Sequence, residues 1–120
     1  MRSAEDSVLG MIGLATKARK TATGSEACEL AIKSMKAKLV ILAKNASENT
    51  KNPVIRMCGN NNVAIREFST KESLGKYTGK PVRAVVAITD SGFANRIMEL
   101  IDMIPGAGMS PIQENRADRQ

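Results

Sequence analysis

The segment Thr23-Gly24-Ser25-Glu26 has the residue types of an anion-binding turn. A glycine just ahead of a helix lets backbone approach a ligand closely. The first-turn amides, which lack intrahelical acceptors, and the positive end of the helix dipole then attract phosphate. Ser25 and Glu26 add side chains able to hydrogen-bond a base edge. On these four residues alone, the simpler account is a capped helix start, with Thr23 and Glu26 forming a capping box. Catalytic chemistry has less to work with. Histidine is absent, which removes the usual general base near neutral pH and the commonest metal ligand. The acidic residues lie singly, without a paired-carboxylate spacing, and Glu5-Asp6 reads as first-turn charge at a helix N-terminus. Gly79-Lys80 is followed by Pro81, so no Walker-type loop is present. The expectation is a non-catalytic protein with no cofactor and no metal.

Charge sharpens the choice of partner. The chain of 120 residues has a formal net charge of +6. Residues 17 to 56 hold nine cations (Lys17, Arg19, Lys20, Lys33, Lys36, Lys38, Lys44, Lys51, Arg56) and three anions (Glu26, Glu29, Glu48), so this stretch alone carries an excess equal to the whole net charge. A basic stretch suits a polyanion, although it also serves solubility. The only aromatic residues are Phe68, Tyr77 and Phe93, too few for a base-stacking platform. A basic surface around a glycine turn remains, with Lys20, Lys44 and Arg83 beside the candidate loops. Cys28 and Cys58 have no metal, redox or disulfide spacing and read as small buried hydrophobes in a reducing compartment. The amino terminus lacks an apolar signal core, and no apolar run nears the roughly 20 residues that span a bilayer. The cytoplasm is the expected compartment, with no membrane contact.

The elements that would position these residues alternate between helix and strand. Ser3 with Asp6 predicts the cap of a first helix burying Val8, Leu9, Ile12 and Ala15; Gly10 and Gly13 interrupt it and suggest close packing against another backbone. Lys20 to Thr23 is a short strand candidate. A helix from Thr23 through Met35 is expected to bury Ala27, Leu30, Ala31 and Met35. Lys38 to Ala43 is an uninterrupted apolar strand, of the kind covered by helices on both faces, which argues for three layers. Val63 to Phe68 and Arg83 to Thr89 supply further strands. Ser69 with Glu72 predicts a short helix ending at Gly75. Asp90 starts a last helix with Phe93, Ile97, Leu100, Ile101 and Ile104 on one face, stopped at Pro105. One helix start is ambiguous: Ser47 would place Pro53 inside the helix, whereas Asn52 would place it at the first position, so an irregular first turn is expected. Met11, Met35, Met57, Met98 and Met103 fall in apolar stripes and read as core.

Taken in order, Leu9-Gly10-Met11-Ile12-Gly13-Leu14-Ala15, Thr23-Gly24-Ser25-Glu26, Ala37 to Ala43, Asn45 to Thr50, Leu74-Gly75-Lys76 and Val85 to Ala94 resemble the kink-turn-binding ribosomal protein family of archaeal large-subunit type. The likeness is greatest to its bacterial YlxQ-like branch and covers roughly residues 6 to 101. This resemblance implies an α/β fold, a three-layer α/β/α sandwich around a four-stranded mixed sheet. It also implies three RNA-contacting segments. The first, reading sheared G·A pairs, maps to Thr23, Gly24, Ser25, Glu26, Ala27 and Leu30. The second maps to Lys44, Asn45 and Ala46, and the third to Gly79, Lys80, Pro81, Val82 and Arg83. The family pattern Gly-Thr/Ser-Asn-Glu-x-x-Lys is broken here, because Glu26 replaces the asparagine, Ala27 the acidic base reader and Leu30 the lysine.

The sequence therefore predicts one RNA-binding domain over residues 1–104 and a flexible tail over 105–120. The expected partner is structured RNA, kink-turn-like or looped and ribosomal, bound by a monomer. A rival reading is a protein-interaction module docking on a ribosome-associated or translation protein, which an exposed, apolar Leu30 would favour.

Overall fold

The computed structural model describes residues 3–105. Five helices and four strands alternate: α1 (Ala4–Lys17), β1 (Thr21–Thr23), α2 (Ser25–Lys33), β2 (Leu39–Leu42), α3 (Glu48–Asn60), β3 (Ala64–Glu67), α4 (Lys71–Tyr77), β4 (Val85–Ile88) and α5 (Ser91–Asp102). The strands form one mixed sheet in the order β1-β4-β2-β3, with β2 and β3 parallel and the other neighbours antiparallel. Helices α2 and α3 pack together on one side, and α1 packs with α4 and α5 on the other. The expected α/β/α sandwich is what the chain forms.

The two central strands explain the layering. Every residue of β2 and β4 is fully buried, because helices cover both faces and alternation has no wet side to serve. Each buried Leu, Ile or Val there contributes about 1.5–3 kcal/mol by leaving water. The edges are blunted differently. β1 is only three residues long, and on β3 the Arg66 guanidinium makes a two-pronged bond to Asp102 of α5 at 2.9 and 3.1 Å.

Several local expectations hold. Ser3 Oγ accepts from the Asp6 amide, and Asp90 from the Phe93 amide. α1 buries Val8, Leu9, Ile12 and Ala15. Others are corrected. Thr23 does not cap α2; it is the last residue of β1, and Gly24 holds the cap position without any side-chain bond. α2 consequently turns a different face inward. It buries Cys28, Ala31 and Ile32, leaving Ala27 exposed, Leu30 70% exposed and, beyond the helix end, Met35 67% exposed. Met103 is likewise outside the core, whereas Met11, Met57 and Met98 pack against it. The cap of α4 is Thr70 rather than Ser69. Ser69 sits in a left-handed turn (φ 62°), and its hydroxyl donates to Glu5 of α1. Ser47 does cap α3, and the helix runs on through Pro53 without the expected irregular turn. Asn49, whose carbonyl loses its donor to the proline ring, is solvent-exposed. α5 ends at Asp102, ahead of Pro105. Residues 106–120, most of the expected tail, lie outside the described residues.

Candidate nucleic-acid interface

Strand register brings the three candidate segments to one end of the sheet. Thr23 pairs with Val86, and the Gly24 amide donates to the Val85 carbonyl at 3.0 Å. Leu42 pairs with the same Val85, and the Ala43 amide donates to the Ala84 carbonyl at 2.8 Å. The chain leaving β1, the chain leaving β2 and the chain entering β4 therefore meet at this end.

An open groove lies at the β1–α2 junction. Its lining consists of Thr23, Gly24, Ser25, Glu26, Ala27, Leu30 and Arg83, seven of the thirteen predicted site residues. Gly24 has φ +90°, a conformation that side-chain-bearing residues rarely adopt. It swings the chain from strand into helix and places Cα beneath the Arg83 side chain, so that a β-carbon would stand 3.8 Å from Nε. Arg83 is fixed from two directions, since Nε donates to Thr23 Oγ1 at 3.3 Å and the terminal nitrogen donates to the Val82 carbonyl at 2.8 Å.

The start of α2 is unlike the other helix starts. Ser3, Ser47, Thr70 and Asp90 each give α1, α3, α4 and α5 a side-chain cap, but α2 has none. The first intrahelical bond is the Cys28 amide to the Gly24 carbonyl at 3.0 Å, so the amides of Ser25, Glu26 and Ala27 precede the helical ladder. These three residues line the groove together with Arg83, with the dipole's positive end behind them. Such a site suits an oxyanion.

The loop before β4 is seated by a glycine whose importance the sequence did not reveal. A β-carbon on Gly75 of α4 would stand 2.8 Å from the Lys80 carbonyl oxygen and from the Val82 nitrogen and Cα. Helix and loop backbones touch here, and the Lys80 amide donates to the Gly75 carbonyl at 2.8 Å. The Arg83 amide is held in turn by the Lys71 carbonyl at 2.9 Å. Lys80 and Val82 project outward, Val82 being 42% exposed.

In the second predicted segment, the side chains have other work. Ala46 is buried. Asn45 bridges to α4: its carbonyl oxygen accepts from the Lys71 amide at 2.8 Å, and its amide donates to Glu72 at 3.0 Å. That donated bond, with a backbone bond beside it, holds the Glu72 carboxyl below its ordinary value of 4.5. Of the three residues, Lys44 alone keeps an exposed, uncommitted side chain.

Lys20 is not brought to this group. It precedes β1, and its carbonyl accepts from the Thr89 amide at the far end of β4. Three strand residues separate it from Gly24, about 13 Å along the strand at roughly 3.3 Å per residue. The expected single surface joining Gly24, Lys20 and Lys44 thus loses Lys20, because a strand carries its two ends to opposite edges of the domain. Cys28 and Cys58 are buried, as expected, and burial pushes both thiols up to about 12. Among the described residues no cluster of metal-ligating side chains occurs, and no helix is long and apolar enough to cross a membrane.

Residues 6–98 match the model of the Ribosomal protein L7Ae/L30e/S12e/Gadd45 family. The chain belongs to this family. Among relatives, it is 39% identical over 92 residues to the RNA-binding protein YlxQ of Bacillus subtilis, covering 77% of this chain and 92% of that one. It is also 39% identical over 94 residues to the RNA-binding protein YlxQ of Enterococcus faecium, covering 78% and 90%. A Bacillus halodurans protein of unknown function superposes with a TM-score of 0.76 at 33% identity, covering 79% of this chain and 96% of that one. The Giardia lamblia 15.5kD RNA binding protein superposes with a TM-score of 0.70 over 83% and 86% of the two chains; at 17% identity this likeness concerns the fold alone.

Proposed function

We propose that this family member is a non-catalytic, cytoplasmic RNA-binding protein that acts as a monomer at the ribosome and grips bent or looped RNA in the β1–α2 groove. One observation carries the reading: the only uncapped helix start among the five described helices opens on a groove that Arg83 overhangs. A phosphate there accepts from the first-turn amides and from the guanidinium, while Ser25 and Glu26 reach a base edge. Lys44 and Lys80 supply outlying phosphate contacts. Leu30, Ala27 and Val82 offer apolar surface to the face of a splayed base. The relatives named as RNA-binding proteins support this assignment. The departures at Glu26, Ala27 and Leu30 favour recognition of bent RNA in general over the kink-turn pattern in particular.

The test is filter binding to a bulged RNA duplex carrying tandem G·A pairs, over a range of salt. Arg83→Ala is expected to lower affinity about tenfold, in line with losing one charge-assisted bond, and to reduce the salt slope by about 0.9. Unchanged affinity and slope would overturn the placement. The exposure of Leu30, at 70%, beside exposed Ala27 and Val82 favours a second reading, docking of a ribosome-associated protein. That reading gains if wild-type protein binds no RNA but sediments with ribosomal particles through a contact that Leu30→Asp abolishes.

A further inference from the structure

A group of exposed cations lies at the end opposite the groove. Helices α1 and α2 both end there, and the chain turns from each into a strand. Lys17, Arg19 and Lys20 occupy the first turn, and Lys36 and Lys38 the second; all five are exposed, and none belongs to an ion pair among the described residues. The two turns are neighbours. Lys38 and Lys20 bond through their backbones to the last residue of β4 and the one after it, Lys38 amide to the Ile88 carbonyl and Lys20 carbonyl to the Thr89 amide. They therefore flank one strand, about 10 Å apart at two strand spacings. Glu29 of α2 is paired with Lys33, and Asp90, which follows Thr89, is engaged in capping α5.

Both turns share a geometry that bears on function. Each is a left-handed helix stop: Arg19 (φ 61°) donates to Thr16 and Lys20 to Ala15, while Met35 (φ 66°) donates to Ile32 and Lys36 to Ala31. Glycine is the residue that fits such a position without strain. Arg19 and Met35 both occupy it without glycine's freedom, and the Arg19 side chain is exposed. Neutralising a helix dipole accounts for Lys17, in the last turn of α1. It accounts in part for Lys38, whose ammonium donates to the Met35 carbonyl just beyond the end of α2 at 3.4 Å, but not for Lys36 or Lys20, which lie outside the helices.

We infer that this end is a second RNA surface, which holds phosphate backbone through side-chain cations alone and lets one molecule bridge two RNA segments. Exposed cations presented from neighbouring turns suit a sequence-independent backbone contact. The inference rests on the proposed function only for the identity of the polyanion. Its site shares no residue with the groove.

The experiment uses two probes, the bulged duplex and a straight RNA duplex without loops, with the full chain. Wild-type protein bound to immobilised bulged RNA is expected to capture labelled straight duplex. In Lys36→Glu/Lys38→Glu, capture is lost and the salt slope for straight duplex falls by about 2, at roughly 0.9 per phosphate contact, while bulged RNA is still preferred. Arg19→Gly, which relieves the left-handed strain, is expected to melt at higher temperature yet bind straight duplex more weakly, so weaker binding cannot be ascribed to misfolding. Arg83→Ala does the reverse of the lysine pair, losing the preference for bulged RNA and keeping the straight-duplex slope. Straight-duplex binding that is absent, or whose slope neither far-end variant changes, overturns the second surface. If bulged RNA is never preferred but straight duplex still depends on Lys36 and Lys38, the groove assignment fails and the second surface stands.

Discussion

Gly75→Ala should destabilise the protein even though it places a better helix former inside α4. Alanine gains about 0.8–1 kcal/mol over glycine in a helix interior. The added carbon, however, would stand 2.8 Å from three backbone atoms, one of Lys80 and two of Val82, and relief to an ordinary 3.4 Å requires a shift of about 0.6 Å. Backbone atoms cannot rotate aside as the end of a flexible side chain can. Overpacking of this kind costs about 1–3 kcal/mol, so with three contacts at once the clash outweighs the propensity gain by about 1 kcal/mol or more. For a domain of this size, that lowers Tm by at least about 4 °C. The displaced loop carries Arg83, so RNA affinity should fall further than the loss of folded protein explains. Gly13→Ala is the control. Its new carbon meets the Tyr77 carbonyl oxygen at 3.5 Å and a ring carbon at 3.8 Å, both ordinary contacts. Propensity then wins, with a gain of about 0.5–1 kcal/mol. Thermal unfolding of the two variants settles the matter. If Gly75→Ala melts at or above wild type, the account of how the loop is seated is wrong.

Three further outcomes follow from the site. Leu30→Lys, at a position 70% exposed, restores a cation to the groove rim and should raise RNA affinity while steepening the salt slope by about 0.9, with Tm unchanged; an unaltered slope would place Leu30 outside the RNA contact. Asn45→Ala removes the bond that keeps the Glu72 carboxyl low. A carboxyl depressed in the folded state stabilises above its unfolded value and loses that contribution as pH falls through its folded value. The variant should therefore show Glu72 titrating closer to 4.5 by carboxyl NMR, with less of its stability lost on acidification below that value; an unmoved titration would remove Asn45 as the cause. Pro53→Ala supplies the amide missing from α3, and should raise stability by about 1–2 kcal/mol once the proline's restriction of the unfolded chain is offset. A lower midpoint in urea would show that the ring itself is needed.

The sequence revealed the fold more fully than the site. The apolar runs behind β2 and β4 and the caps at Ser3 and Asp90 carry short-range signals with a single physical reading, whereas at Ser47 the cap signal competes with Pro53. At Thr23 two signals compete. Its spacing to Glu26 matches a capping box, but pairing of Thr23 with Val86 keeps it in the sheet and leaves α2 uncapped. That tertiary pairing also rotates the inward face of α2 away from Leu30. The misplacement of Lys20 has the same origin. Nearness in sequence to Gly24 became distance in space once a strand lay between them. Gly75 read as the end of its helix, but the helix runs on to Tyr77, because a glycine required by backbone contact looks in sequence like one that stops a short helix.

The direction of the helices relates the two ends of the molecule. α2, α3 and α4 begin at the groove end, and α1 begins there too, where Glu5 meets Ser69. Four positive dipole ends therefore lie at the groove end of the domain, and α2 alone leaves its first-turn amides without a side-chain cap. Anion binding at the groove can thus rest on fixed backbone donors and one anchored guanidinium, with little need of a dense cluster of lysines. At the other end α1 and α2 finish, so their dipoles there are negative, and α5, which starts there, has its first turn capped by the Asp90 side chain, so cationic side chains supply the attraction for phosphate. Backbone donors add affinity without adding a full counterion to the exchange, whereas each lysine contact adds one. Rising salt should therefore strip RNA from the Lys36–Lys38 end first and leave the Gly24 groove occupied, an order that follows from strand and helix polarity alone.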